Sequence, residues 1–373
     1  MKIVFDCRSV FPGMGGIGRA TAALARFLPA ALPEAELVYL HGARRPEAPL
    51  STAKNVEDLV TDAAMIDPVF EQLLLPELLD DCQADLYHNP CFAVPVVAHP
   101  DMIRVATVHD VVFRRHPELV PEWLRTYLDS ATQASCEVAD ALVTVSSFSA
   151  REIEALYPVS PLIEVIHNAV DARFFVDEGP EQPAAPPYLL YVGSLEEKKN
   201  VRHLLRGMAE LCRRRPELPH VLLLVGAIQP GFDLEAAVAE SGVPPERVHY
   251  LGHVPDSSLV ELYHNASVFC YLSEYEGFGL PPVEAMAAGT PVVAADRASL
   301  PEATDGAALL VEPESPRQVA TAIERLLDDR ELRAECVALG RDVAESWSWA
   351  SAAKRLAHLY HELLATRRQG VRS

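Results

Sequence analysis

The chain writes one pattern twice. Short apolar runs of strand length alternate with stretches of helix length over residues 2–166 and again over residues 188–366. Between the two series lies Asp177-Glu178-Gly179-Pro180-Glu181-Gln182-Pro183-Ala184-Ala185-Pro186-Pro187, in which five of eleven residues are Pro or Gly, as expected of a linker. Strands that alternate with helices at this pace are βαβ units of a parallel sheet. At 373 residues the chain is also too long for most single cores. The expectation is an α/β protein of two doubly wound, Rossmann-like domains, 1–176 and 188–349, joined at 177–187. Open parallel sheets bind ligands at the carboxyl ends of their strands, so a cleft between the domains is the expected place for one.

In the first series the pattern predicts strands at 2–6, 37–40, 85–88, 104–108, 141–145 and 163–166. It predicts helices ending near 31 and spanning 69–81, 119–139 and 149–157, with 44–64 polar and without period. In the second series strands are predicted at 188–192, 221–225, 248–251, 268–272, 291–295 and 308–311. Helices are predicted at 200–213, 233–241, 256–265, 317–327 and 330–346, and a last one runs from Trp349 to about Thr366.

The most specific stretch is Val268 to Ala295. It reads as a buried strand, a loop carrying Glu276-Gly277-Phe278-Gly279, a short helix opened by Pro281 and Pro282, and a second buried strand. Proline suits a helix's first turn, where a missing N–H costs nothing. The backbone N–H groups of Phe278, Gly279 and Leu280 are then available to an anion at a helix N-terminus. Glu276 and Glu284 flank that position, so a bare phosphate matches it poorly. A polyhydroxylated anion matches better, its phosphate taking the N–H groups and its hydroxyls donating to the two carboxylates. The plainer alternative is a tight strand-to-helix turn with Glu284 as a first-turn acid favoured by the helix dipole.

Other polar residues fall at predicted strand ends. Gly193-Ser194-Leu195-Glu196-Glu197-Lys198-Lys199-Asn200 leads into a helix, with two lysines at its mouth. The loop could be a solvated run of charges pairing among themselves. Beside the Glu276 loop, a lysine aimed at a phosphate is the reading preferred. His109 and Asp110 end the strand at 104–108, where an imidazole can exchange a hydrogen bond with a hydroxyl near a reacting centre. Gly13-x-Gly15-x-x-Gly18 superficially matches a dinucleotide fingerprint, but six residues separate it from the preceding strand and no acid ends the second strand. A flexible glycine loop whose backbone approaches a ligand is preferred to NAD or FAD binding, with a plain turn as the remaining option.

Composition removes several classes. A formal net charge of −21 opposes binding to nucleic-acid phosphates. The seven cysteines carry no CxxC spacing and read as free thiols of a reducing compartment. No window is long and apolar enough to span a membrane, and Met1 leads directly into a strand, so a cytoplasmic protein with at most peripheral membrane contact is expected. There is no zinc pattern, nucleophile elbow or P-loop, and no metal or other cofactor is expected.

Taken together these residues resemble the retaining GT-B glycosyltransferases of family 4, also described as glycosyl transferases group 1. Glu276-Gly-Phe-Gly-Leu-Pro-Pro-Val-Glu284-Ala-Met-Ala-Ala-Gly-Thr-Pro-Val-Val is similar to that family's two-glutamate donor motif, and Tyr191-Val-Gly193-Ser194-Leu-Glu-Glu-Lys198-Lys199-Asn200 to its diphosphate loop. Gly15-Gly16-Ile-Gly18-Arg19, Thr107-Val-His109-Asp110 and Val145-Ser146-Ser147-Phe148-Ser149 extend the resemblance into the first half. It implies that Glu276 meets hydroxyls of the donor sugar and Glu284 the ribose, with Phe278, Gly279 and Leu280 offering N–H groups to phosphate and sugar. It also implies that Lys199 binds the diphosphate, that Val254 lies by the base, that His109 sits beside the transferred sugar, and that Gly15 and Gly16 are near the diphosphate or acceptor. The last helix would cross back onto the first domain. Many relatives carry Arg where this chain has Ser194, so Lys198 or Arg19 would help Lys199. The implied reaction moves a hexosyl unit from a nucleoside-diphosphate sugar to a hydroxyl of a saccharide or small-molecule acceptor. The Lys-Lys-Asn form of the loop resembles mannosyltransferase members and favours GDP-mannose over a UDP-sugar. The competing functions are a GT-B-like sugar-nucleotide epimerase or phosphorylase, an NAD-dependent oxidoreductase using Gly13 to Gly18, and a non-catalytic carbohydrate-binding protein.

Overall fold

A computed structural model describes residues 1–175 and 186–370. Most of the expected linker, residues 177–185, lies outside the described residues. The chain divides into two compact units, one formed by Met1–Ala169 with the helix Trp349–Gly370, the other by the described part of Val170–Ser348.

The first unit is built on strands β1 (Lys2–Asp6), β2 (Glu36–His41), β3 (Val56–Val60), β4 (Leu86–Asn89), β5 (Ile103–Thr107), β6 (Ala141–Thr144) and β7 (Leu162–Val165), with helices α1 (Gly16–Ala31), α2 (Leu75–Asp81), α3 (Val112–Arg115), α4 (Glu122–Val138) and α5 (Ser147–Leu156). Its sheet runs β3-β2-β1-β4-β5-β6-β7 and every pairing is parallel. The second unit carries β8 (Tyr188–Val192), β9 (Val221–Val225), β10 (Val248–Gly252), β11 (Val268–Tyr271), β12 (Val292–Ala295) and β13 (Leu309–Val311), in the order β10-β9-β8-β11-β12-β13, again all parallel. Its helices are α6 (Val201–Arg214), α7 (Leu234–Ser241), α8 (Asp256–Asn265), α9 (Leu280–Ala287), α10 (Leu300–Thr304), α11 (Pro316–Asp328) and α12 (Arg330–Ser346). The two doubly wound sheets expected from the alternating pattern are therefore present. In each, strand order reverses once, between β1 and β4 and between β8 and β11. At such a point the connections leave in opposite directions and open a crevice at the carboxyl ends of the strands.

Three local departures from the sequence expectation have physical causes. The stretch read as irregular contains β3, an edge strand whose Glu57, Asp58 and Val60 are exposed. Charged edge strands lack the apolar alternation that advertises a strand. The helix expected at 69–81 opens with a π-helical turn at Phe70–Leu74, because Pro76 has no N–H to give a preceding carbonyl. The helix expected from Leu119 starts at Glu122, since Pro121 holds the residue before it extended. The turn also carries a buried ionic cluster that the sequence did not announce. The Arg8 guanidinium bonds Asp6 through Nε at 2.9 Å and reaches Glu71 at 3.4 Å, while Tyr127 donates to Glu71 at 2.8 Å and Tyr87 to Asp6 at 2.6 Å. Burial lifts Glu71 above the usual carboxylate range although Arg8 pulls it down.

The last helix, α13 (Trp349–Gly370), packs on α1 as expected. Arg355 pairs with Glu164 at 2.7 Å and Arg367 with Asp140 at 2.8 Å. Its buried attachment is Tyr360, whose hydroxyl meets His88 Nδ1 at 2.5 Å while His88 Nε2 meets Thr107 at 2.8 Å. Among the described residues no helix is long and apolar enough to cross a membrane.

Burial pushes His88 from its ordinary 6.5 down to about 3. Between those values the unfolded chain binds a proton that the folded one refuses, so stability falls as pH is lowered through that window. Unfolding free energy measured from pH 6.5 to 3 should decline, and His88→Gln should flatten the decline. An unchanged slope in the variant would contradict this placement of His88.

Candidate functional site

The second unit gathers most of the expected residues around its strand-order reversal. The loop after β8 bears Ser194, Lys198 and Lys199, and the loop after β11 bears Glu276. Glu274 N donates to the Lys198 carbonyl at 2.8 Å, and Asn200, held at φ 53°, gives its side-chain amide to Glu274 at 3.2 Å. The two loops are thus stitched side by side.

Lys199 forms an ion pair with Glu276, and both side chains are largely withdrawn from water, 11% and 15% exposed. Burial pushes the Lys199 ammonium down, but Glu276, together with Tyr191 and Glu196, leaves it above its ordinary value. Burial likewise lifts Glu276, and Lys199 returns it to below the usual carboxylate range. Both groups are charged at neutral pH. The Tyr271 hydroxyl joins them, donating to Glu276 Oε1 at 2.8 Å and accepting from Lys199 Nζ at 3.1 Å. Lys198 lies 3.8 Å from Glu196, and Ser194 Oγ is 2.5 Å from the same carboxylate. Lys199 turns inward to Glu276, while Lys198 stays at the loop's acidic rim beside Glu196.

Helix α9 begins at Leu280, with Pro281 and Pro282 in its first turn as expected and Gly279 as N-cap at φ 101°. A Cβ at Gly279 would come within 2.7 Å of the Leu300 side chain, so both conformation and space require glycine there. The Phe278 ring is buried edge-on against Trp347, centroids 5.9 Å apart. Ser299, fully buried, places its hydroxyl 2.9 Å from the Glu276 carbonyl and 2.8 Å from the Phe278 carbonyl. Glu284 is buried in α9 and accepts from Tyr263 of α8 at 2.8 Å. The carboxylates at 276 and 284 are each oriented by a tyrosine, one on the neighbouring strand and one on the neighbouring helix. Val254 lies after β10 in a surface pocket shared with Tyr188, Leu251 and Asn265.

The remaining expected residues belong to the first unit. His109 is buried, with Nε2–H donating to the Pro90 carbonyl at 2.8 Å, so the neutral ring presents Nδ1 as acceptor. Burial holds its pKa below the ordinary value. It lines a small cavity with His88, Thr107, His167, Asn168 and Trp349. Gly15 is the exposed N-cap of α1, Gly16 opens that helix, and Arg19 N donates to the Gly15 carbonyl at 3.1 Å. Gly18 has a packing cause, since a Cβ would meet the Ser9 carbonyl oxygen at 2.4 Å. Tyr271, Ser299 and Tyr263 are the site's supporting groups missed in the sequence. A tyrosine ending an apolar strand, a tyrosine on helix α8 and a serine twenty-odd residues downstream of the Glu276 loop give no periodic or motif signal.

Comparison with known proteins places the chain in a class of glycosyltransferases. Residues 174–343 match the family described as Glycosyl transferases group 1, and residues 14–174 match Glycosyltransferase Family 4. The chain is 30% identical to O-antigen chain mannosyltransferase B of Escherichia coli, over 96% of this chain and 99% of that one. It is 31% identical to MMP alpha-(1->4)-mannosyltransferase of Mycolicibacterium hassiacum, over 85% and 80%. Among solved structures it resembles sucrose-phosphate synthase from Thermosynechococcus elongatus (TM-score 0.75, 22% identity, 98% and 100% covered) and Anabaena HepE in complex with UDP and glucose (0.73, 19%, 97% and 100%). The fold is GT-B. The chain belongs to glycosyltransferase family 4 and is an enzyme that transfers a sugar from a nucleotide-sugar donor.

Ser299→Ala removes the single buried O–H shared between the Glu276 and Phe278 carbonyls, which should lower unfolding free energy by about 1–3 kcal/mol. Chemical denaturation tests this; an unchanged midpoint would mean the hydroxyl is not what holds the loop.

Proposed function

We propose that the protein is a retaining hexosyltransferase that uses a nucleoside-diphosphate sugar, GDP-mannose in preference to a UDP-sugar, to glycosylate a hydroxyl of a saccharide or small-molecule acceptor. The observation that carries this is the Lys199–Glu276 pair at the β8/β11 reversal, next to the N-terminus of α9. The names of the two mannosyltransferase relatives support the sugar.

The residues fall into roles by their chemistry. As the bond from the anomeric carbon to the diphosphate breaks, charge grows on the leaving oxygens. A buried ammonium at Lys199 and the N–H groups of Phe278, Gly279 and Leu280 are suited to meet that charge, with Lys198, Ser194 and Arg19 as helpers. Glu276, acceptor-only when ionised, reads hydroxyls of the hexose, and Glu284 reads the ribose with Tyr263 orienting it. Val254 serves the base. From the first unit, His109 offers its Nδ1 to the transferred sugar, and Gly15 and Gly16 serve the diphosphate or the acceptor. The acceptor hydroxyl attacks on the face the diphosphate leaves, and its proton passes to a leaving phosphate oxygen. Configuration is thereby retained, and no protein carboxylate is needed as general base.

Lys199→Ala should cut kcat about 10²-fold or more, comparable to losing one transition-state donor, in an assay of nucleotide-sugar turnover. A near-wild-type rate would refute the role given to Lys199. GDP should raise the thermal midpoint more than UDP at equal concentration, since a ligand stabilises the native state according to its affinity; the reverse order would reassign the donor to the UDP-sugars.

A further inference from the structure

We propose that Tyr271 is a positioning residue of the donor site, its hydroxyl fixing the Glu276 carboxylate and the Lys199 ammonium relative to each other. This rests on the roles given above to Glu276 and Lys199. Tyr271 is the last residue of β11, on the strand where the sheet order reverses, and it is 1% exposed. Its ring stacks on Phe269, centroids 6.0 Å apart and planes 17° apart, and on Tyr191 of β8, 5.9 Å and 17°. A buried ring with two stacked neighbours has little freedom in where it puts its hydroxyl. That hydroxyl donates to Glu276 Oε1 at 2.8 Å and accepts from Lys199 Nζ at 3.1 Å, using donor and acceptor capacity together. Lys199 Nζ also lies 5.6 Å from the ring centroid, within cation–π range.

Packing alone does not require a phenol here. Phenylalanine, as at Phe269 two residues earlier, would fill the same space. What tyrosine adds is one polar atom, and both of its partners are charged groups of the site. Burial and the neighbouring Glu276 hold the phenol well above its usual pKa, so it remains a proton donor to the carboxylate across the working pH range. Tyr191 shows the same device on β8, donating to the Ser194 carbonyl at 2.7 Å. Two tyrosines on adjacent strands therefore set the two loops from beneath, and Tyr271 is the one bonded to side chains that would meet the donor. A long flexible lysine and a glutamate paired only with each other can slide together along several rotamers. A fixed phenol restricts that freedom, and orientation of groups is a large part of what an enzyme contributes to rate.

The test is a double-mutant cycle on the full-length protein, read by steady-state turnover of GDP-mannose or UDP-glucose, whichever donor is used, and by affinity for the matching nucleoside diphosphate. Tyr271→Phe should lower kcat about tenfold or more, the size expected for a hydrogen bond to a charged group, while changing nucleoside-diphosphate affinity by less than about threefold. In a Glu276→Gln background the same substitution should cost little further, because the hydroxyl acts through the carboxylate. Fully additive losses, or wild-type turnover in Tyr271→Phe when Glu276→Gln is impaired, would overturn the proposal and leave the donor-site reading intact. Wild-type turnover in Glu276→Gln itself would instead remove the reading on which it rests. Should Tyr271→Phe not fold, Glu276→Asp keeps the charge but withdraws it from the phenol by one methylene; it should show the same kcat loss, and wild-type turnover there overturns the proposal too.

Discussion

The second unit is arranged around a buried pair of opposite charges. Removing an ammonium and a carboxylate from water costs several kcal/mol each, and their attraction repays this only with good geometry and further hydrogen bonds. Lys199 and Glu276 have that geometry because their loops are stitched by one backbone bond and the Asn200 side chain, because Tyr271 bridges them, and because the Ser299 hydroxyl sits against the carbonyls on the Glu276 side. Apolar residues of similar volume would stabilise the fold at least as well. An ion pair kept at such a place points to chemistry, where charge already desolvated acts more strongly than charge in water.

The placement follows from topology. A sheet whose order reverses once has one position where successive loops diverge, and between β8 and β11 that position receives both loops of the pair. The first unit repeats the arrangement between β1 and β4. There the strand ends hold the Asp6–Arg8–Glu71 cluster and the His88–Tyr360 contact. These groups are satisfied within the protein: the cluster ties β1 to the turn before α2, and the histidine ties α13 to β4.

What could be read from the sequence divides along physical lines. The β and α periods, the two prolines opening α9 and the Glu-Gly-Phe-Gly loop are local signals, and each reappears where the pattern put it. The left-handed φ that requires glycine at Gly279, the N-cap of α9, emerges only in the structure. The contacts that orient the site are long-range. Ser299 and Tyr263 reach Glu276, Phe278 and Glu284 across 21 to 23 residues, and Lys199 reaches Glu276 across 77. No spacing rule connects such positions. Edge strand β3 was hidden by its charges, and the π-helical turn by a proline that also suits an ordinary helix start.

The central claim is that the nucleoside diphosphate is held by the second unit at the β8/β11 reversal. Hydrogen–deuterium exchange with and without GDP or UDP addresses it most directly, because the groups assigned to the phosphates include backbone amides. The account predicts that slowed exchange concentrates in residues 193–200 and 276–284. Protection concentrated instead in residues 13–18, with those two segments unchanged, would contradict it.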